Sequence, residues 1–172
     1  MLHFTKLLFG ILILLRLGNS LEIVSTDTRV VTLDTSRYAI FKYDKSYSYY
    51  IPNGKAATLS ISEINFVETL LKEAVLDYNA SKKKLFSGQP ISTLEDYKFQ
   101  LVPALDSTNK KVVFANCIKL YTVYGRLGIL KNQPDDWKTV FVYADGGGNS
   151  IFHLTLSLTD STYTHLITNG PK

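Results

Sequence analysis

Cysteine is almost missing from this sequence, which excludes one common way of stabilising an exported domain. The chain of 172 residues has a single cysteine, Cys117, and so cannot form an internal disulfide. Free cysteine is among the most buried residue types, so the first interpretation of Cys117 is a small buried side chain on a strand. A reactive thiol and an intermolecular bridge are the alternatives.

The sequence also lacks a hydrophobic run long enough to cross a membrane. Its longest apolar stretch, residues 7–15, stops at Arg16, whereas a membrane-spanning helix needs roughly 20 apolar residues. Lys6 before this stretch, with Gly18 and Ser20 after it, is typical of a secretory signal peptide. This arrangement predicts a leader that is removed on export.

The predicted leader covers residues 1–20, and residues 21–172 are predicted to form a single α+β domain. No cysteine lies at the predicted cleavage site, which excludes a bacterial lipid anchor. We therefore expect a soluble exported protein, periplasmic or extracellular, with no membrane span after the leader is removed.

A strong excess of one charge is missing as well. The chain has 19 basic and 15 acidic residues, and Lys6 and Arg16 belong to the leader, which leaves 17 basic residues in the exported part. A net charge this small does not favour a nucleic-acid partner.

One segment has the pattern of a long amphipathic helix. Ser60 and Glu63 have the spacing of a capping box, in which the serine hydroxyl and the glutamate carboxylate accept hydrogen bonds from each other's backbone N–H. Apolar residues then recur every three or four positions and form one stripe, at Ile64, Val67, Leu70, Leu71, Ala74, Val75 and Tyr78. A helix over residues 61–81 is therefore predicted.

Tyrosine, phenylalanine, valine, isoleucine and threonine dominate the rest of the sequence, which favours strands. Between turn residues, strands are predicted over residues 29–33, 38–43, 47–51, 97–102, 111–119, 137–144, 149–158 and 163–168. Residues 125–136 are predicted to be a loop, and the Asp-Gly-Gly-Gly sequence at 145–148 a tight turn between two strands. This order indicates an α+β fold, with one long amphipathic helix packed across an antiparallel sheet in a cystatin-like or related roll.

Seven different short motifs are spread along the exported part of the chain. They lie at Tyr78-Asn79, Tyr97–Gln100, Val113–Cys117, Trp137-Lys138, Asp145-Gly146-Gly147, residues 152–156 with Tyr163 and Leu166, and Asn169-Gly170. Together they resemble a group of small exported bacterial proteins of uncharacterised function. The resemblance implies export and a small α+β fold but no activity, and the further cysteines of that group are missing here, so no disulfide or metal role carries over.

No metal, cofactor or catalytic site is predicted. The two histidines outside the leader, His153 and His165, lie on the two strands of one predicted hairpin. Pairing of Leu158 with Tyr163 would place them on opposite faces of the sheet. The glycines at 146–148 lead into a strand rather than a helix N-terminus, which does not favour phosphate binding.

Protease inhibition is a more specific alternative. Cystatins, which are similar in their helix-then-hairpins order, insert a Gln-x-Val-x-Gly hairpin and a Pro-Trp loop into papain-like cysteine proteases. Gln100 and Val102 match the first element and Trp137 follows Pro134, but Ala104 replaces the glycine. A shared fold is weak ground for a shared function, so we expect no inhibition.

Four tyrosines crowd the segment before the helix, at Tyr43, Tyr47, Tyr49 and Tyr50. If residues 47–51 form a strand, Tyr47 and Tyr49 point to the same face. Tyrosine combines apolar area with a polar tip, which suits a protein, peptide or glycan ligand. The alternative is that one pair packs into the core while the others cover an edge.

The sequence thus predicts an exported domain with a non-enzymatic binding or interaction role. The alternatives are a cystatin-like cysteine-protease inhibitor and a hydrolase without recognisable motifs. A deep pocket with convergent polar side chains would favour the hydrolase, and an exposed aromatic strip would favour binding.

Overall fold

The computed structural model describes residues 36–81, 90–119, 137–143 and 146–170. Within these residues, the elements in chain order are β1 Tyr38–Ile40, β2 Lys55–Ala56, α1 Ile61–Ala80, β3 Tyr97–Leu105, β4 Lys111–Lys119, β5 Ile151–Ser157, β6 Thr162–Tyr163 and β7 Ile167–Thr168. The predicted leader, the predicted strand at 29–33 and the predicted loop at 125–136 lie outside the described residues.

Helix α1 begins where its capping box predicts. The Ser60 hydroxyl accepts a hydrogen bond from the Glu63 backbone N–H at 3.2 Å, and the Glu63 carboxylate accepts one from Ser60 N at 2.8 Å. The helix ends at Ala80, one residue before the predicted end. Every residue of the predicted apolar stripe is buried, so the helix prediction is confirmed.

The strands form one mixed, mostly antiparallel sheet in the order β1-β3-β4-β5-β6. β1 runs parallel to β3, and β2 pairs antiparallel with β3 further along. β3, β4 and β5 form an antiparallel meander, and β6 and β7 both pair with β5. The α+β fold predicted from sequence is confirmed, and the parallel β1 is the departure from a wholly antiparallel sheet.

The two faces of the sheet carry different side chains. On one face, α1 packs against apolar residues of β3, β4 and β5, which include Phe99, Ala115, Phe152 and Leu154. Cys117 is fully buried there, as the first interpretation predicts, and burial raises the pKa of its thiol well above the ordinary value. The opposite face, which we call the cleft face, carries the remaining alternate residues of the same strands.

Two predicted strands, 47–51 and 137–144, are wrong. Residues Lys45–Tyr47 form a short 3₁₀ turn, and the Asp44 carboxylate caps it by accepting a hydrogen bond from Ser46 N at 2.7 Å. No strand is found in the described residues of the second segment, 137–143. Both segments bury aromatic rings on the cleft face without joining the hydrogen-bonded ladder.

The segments near the C-terminus differ from the two predicted hairpins. Gly146, Gly147 and Gly148 have the positive φ angles expected of a glycine turn. They lead into a short 3₁₀ turn and then β5, with no paired strand before them in the described residues. The strand predicted over 163–168 is instead divided into β6 and β7.

Helix α1 is too polar to cross a membrane, and no other helix of the described residues is both long and apolar enough to do so.

Candidate functional site

Two irregular segments cover part of the cleft face. Residues 41–51 bury Tyr43, Tyr47 and Ile51 against β3 and β4. Residues 137–143, which we call the strap, place Phe141 in the same apolar cluster. The rings of Phe141 and Tyr47 meet edge to face with 5.2 Å between their centroids. The two segments therefore touch above the sheet.

Buried amides hold the strap on the sheet. Gln100 Nε2 donates to the carbonyl oxygens of Trp137 and Val140 at 2.7 and 2.8 Å. Gln100 Oε1 accepts from Val142 N at 2.9 Å and from Asn116 Nδ2 at 3.0 Å. Asn116 Nδ2 also donates to Val142 O at 3.0 Å. The Gln100 amide thus uses both of its N–H groups and both of its lone pairs.

An open cleft of about 230 Å³ lies between the strap and residues 41–51; we call it the aromatic cleft. Tyr50 forms one wall, and its ring stacks on Phe114 with 3.7 Å between centroids and 14° between planes. Phe141 and Tyr143 of the strap form the other wall, with their centroids 4.8 Å apart. Tyr143 is 62% exposed, so a large aromatic surface is open to a ligand.

His153 lies on the floor of the aromatic cleft beside two of these rings. Its ring centroid is 5.7 Å from that of Tyr50 and 5.8 Å from that of Phe114. Burial lowers the pKa of the imidazole below its usual 6.5, which keeps the ring neutral at pH 7. In the part of the chain that the structure describes, no hydrogen bond reaches this imidazole. It therefore offers one donor and one acceptor to a ligand.

Two side-chain amides complete the polar part of the aromatic cleft. Asn116 uses its N–H groups within the amide network, and Asn169 Nδ2 donates to Gly146 O at 3.0 Å. Among the described residues that line the cleft, none carries a formal charge at pH 7. The arrangement suits a neutral ligand that stacks on aromatic rings and exchanges hydrogen bonds with the floor.

The four tyrosines of the predicted binding strip do not share one face. Tyr43 and Tyr47 are buried, and the Tyr43 hydroxyl donates to Ile51 O at 2.8 Å. Tyr49 is 86% exposed, whereas Tyr50 lines the aromatic cleft. The predicted common face of Tyr47 and Tyr49 is wrong because this stretch turns instead of extending.

The residues of the inhibitor alternative are interior. Gln100 and Val102 are fully buried within β3, and Trp137 is 8% exposed at the start of the strap. Gln100 already has all its hydrogen bonds inside the protein. These side chains cannot enter a protease cleft unless the cleft face unpacks, so the geometry gives this alternative no support.

The histidine pairing predicted from sequence is wrong in register. Tyr163 pairs with Leu156, and His153 pairs with Ile167. His153 lies on the cleft face, while His165 is exposed in the connection between β6 and β7. Among the residues that the structure describes, no group of three histidine, cysteine, aspartate or glutamate side chains could hold a metal ion.

Sequence reasoning missed Phe141, Tyr143 and His153 as members of one site. The only signal in the sequence is the alternation of β5, which puts His153 on the face away from α1. Which segment covers that face depends on contacts across long sequence separations, such as that of Tyr47 with Phe141.

No model of a known protein family, no curated protein and no solved structure matches the chain.

Proposed function

We propose that this protein is a non-enzymatic binding domain whose aromatic cleft holds a neutral, ring-shaped polar ligand, and that this ligand is a sugar. The observation that carries the proposal is the combination of open aromatic walls, Tyr50 and Tyr143, with a neutral imidazole, His153, on the floor between them. Binding sites of this kind are mostly apolar, with a few polar groups that orient the ligand.

The walls and the floor have complementary tasks. A sugar ring has an apolar face of C–H groups, which can stack on a tyrosine ring. Its hydroxyl groups donate and accept hydrogen bonds, as the His153 imidazole also does. A flat hydrocarbon would leave that imidazole without a partner, and an unpaired buried polar group is costly.

The charge of the site favours a neutral ligand. The described residues that line the aromatic cleft include no lysine, arginine, aspartate or glutamate. A phosphate or carboxylate would therefore lose its hydration without gaining an ion pair. This argument selects an uncharged sugar over a phosphorylated or acidic one.

The proposal includes export, as the leader at residues 1–20 and the resemblance to small exported bacterial proteins predict. Export should remove the leader at or near Leu21. Intact mass of protein from its native host measures this directly. A mass that still includes Met1 would contradict export.

The test of the binding function is an array of neutral glycans, followed by titration of the methyl glycosides of glucose, mannose, galactose and N-acetylglucosamine by ligand-observed NMR. Tyr143→Ala should weaken binding by about tenfold or more, because it removes one exposed wall. Tyr49→Ala is the control, since it removes a tyrosine that is still more exposed than Tyr143, 86% against 62%, and that lies outside the cleft lining.

The melting temperature of each variant should stay at the wild-type value, which separates lost contacts from lost folding. Absence of binding to every glycan, or an equal loss in Tyr143→Ala and Tyr49→Ala, would overturn the proposal.

A further inference from the structure

The floor of the aromatic cleft continues along one strand. On the cleft face, β5 presents His153, Thr155 and Ser157 in succession. Each of the three is half-buried, so part of each side chain faces solvent. Residues of one face recur every second position, so these three side chains span roughly 13 Å along the strand. This is longer than a single sugar ring.

A second cleft of about 290 Å³ lies at the far end of this row. Thr155 and Ser157 form its floor, and Thr162 and Thr164 line it from the side of β6. Tyr50 lines this cleft as well as the aromatic cleft. Tyr50 therefore borders both spaces, and the two clefts lie side by side on the cleft face; we call the pair the groove.

The second cleft combines apolar side chains, such as Ile51, Pro52 and Val112, with hydroxyl groups and one carboxylate. Among the described residues that line it, Asp106 is the one with a formal charge. Its carboxylate is used within its own turn, where it accepts hydrogen bonds from Thr108 N at 2.8 Å and Lys110 N at 3.0 Å. Hydrogen bonds from the Thr108 hydroxyl and from these backbone N–H groups hold the pKa of the Asp106 carboxyl below its ordinary value, so the group is charged at pH 7. It can accept hydrogen bonds from the hydroxyl groups of a neutral sugar and repels an anion.

We propose that the two clefts together bind a linear, neutral oligosaccharide, with successive sugar rings in the aromatic cleft and in the second cleft and with Tyr50 between them. This inference rests on the proposed sugar-binding function and extends it from one ring to a chain. The protein need not bind either end of the oligosaccharide, because both clefts open to solvent on the same face of the sheet.

The position of the groove separates a glycan from an extended peptide. Peptides that bind to sheets usually add a strand at an edge, where the main chain of the sheet has free N–H and C=O groups. The groove lies on the face of β4 and β5, and the main chains of these two strands are already paired with each other. A ligand there must be held by side chains, which suits the many hydroxyl groups of an oligosaccharide.

The experiment measures by calorimetry how affinity depends on the length of the oligosaccharide, with the whole exported protein, residues 21–172. The probes are the methyl glycosides of glucose, mannose, galactose and N-acetylglucosamine and their linear neutral oligomers of two to six units. We expect the affinity for the preferred sugar to rise by about tenfold or more between one unit and three and then to level off.

Thr155→Val is the variant that isolates the second cleft. It removes one hydroxyl group while keeping a β-branched residue suited to a strand. We expect it to lower the affinity for the trimer by about fivefold, the effect of one lost hydrogen bond, and to leave single-ring binding unchanged. Tyr143→Ala should weaken ligands of every length, because each of them uses the aromatic cleft.

The outcomes distinguish the two proposals. Equal affinity for one and six units, with both lost in Tyr143→Ala, would overturn the groove and keep the single-ring site. No binding of any unit length would overturn both. Tighter binding of a neutral extended peptide than of any oligosaccharide, with the peptide weakened in Thr155→Val, would replace the glycan by a peptide in the same groove.

Discussion

Gln100 is the residue on which the wall of the aromatic cleft depends. Its amide makes four hydrogen bonds, three of them to the main chain of the strap. Gln100→Leu keeps a similar volume but leaves the strap's carbonyl and N–H groups without partners. We expect it to lower the free energy of unfolding by about 2 kcal/mol or more, measured by urea denaturation.

Fluorescence of the single tryptophan, Trp137, reports whether the strap stays packed on the sheet in this variant. Trp137 is 8% exposed. In Gln100→Leu its fluorescence should shift to the red and become accessible to iodide, because the carbonyl of Trp137 loses its partner. Lys42→Leu, at an exposed position, is the control and should change neither stability nor fluorescence. Unchanged emission in Gln100→Leu would show that the amide does not hold the strap.

His153 should make the stability of the protein depend on pH. Burial lowers the pKa of its imidazole in the folded state, whereas an unfolded histidine protonates near its ordinary value of 6.5. The unfolded state therefore binds more protons once the pH falls below about 6.5, and the free energy of unfolding decreases from there until the lower folded pKa is passed.

His153→Gln should remove this part of the pH dependence. Urea denaturation of both proteins at a series of pH values measures the difference in their free energies of unfolding. The series runs from about 7.5 to about 5, on the order of one unit either side of the ordinary histidine pKa. Carboxylates with a lowered pKa, such as Glu63, contribute to both proteins. Parallel profiles would show that His153 is protonated equally well in the folded and unfolded states.

At the scale of elements, α1 is held by its apolar stripe rather than by its charged surface. Leu71 is fully buried, and Lys72 is exposed with an ion pair to Glu68 at 3.5 Å. Leu71→Ala should lower the free energy of unfolding by about 2 to 5 kcal/mol. Lys72→Ala should cost no more than about 0.5 kcal/mol, as expected of an exposed i,i+4 pair.

Thermal or urea unfolding of both variants checks this prediction. Equal stabilities of Leu71→Ala and Lys72→Ala would contradict packing of the stripe on the sheet.

Elements with their own local signals could be predicted, and elements defined by distant partners could not. The helix has a capping box and a stripe, and both are found as predicted. β4 begins at Lys111 as predicted, because a polar turn at Asp106 precedes its apolar run. The segments 47–51 and 137–143 have the composition of strands, but strand propensity reflects fit to a half-buried surface. Aromatic rings can cover such a surface from irregular backbone, as Tyr47 and Phe141 do here.

At the scale of the whole molecule, we expect no inhibition of a papain-like cysteine protease. The residues that would contact the protease, Gln100, Val102 and Trp137, are part of the interior. Titration of the purified protein against papain measures this. Inhibition at micromolar concentration that is lost in Trp137→Ala would contradict this prediction and restore the cystatin-like alternative. The cystatin-like form of the α+β fold stays a prediction.

The candidate site combines three parts of the chain that are far apart in sequence. Tyr50 comes from before α1, Phe114 and His153 from the sheet, and Tyr143 from the strap. Each residue has an ordinary local role, so no short motif marks the site. The tyrosine-rich segment could be identified from sequence as a candidate, but its partner across the cleft is defined only by the tertiary fold.

The attachment of the strap also has a consequence for motion. β3, β4 and β5 are joined by continuous main-chain ladders, whereas side-chain amides join the strap to the sheet. A region held in this way can open as a separate cooperative unit with a lower free energy than global unfolding. Amide hydrogen exchange should therefore be faster at Val142 N than in the middle of β4. Affinity in the cleft would then be linked to this local opening, and substitutions in the strap could tune ligand residence time while the core stays folded.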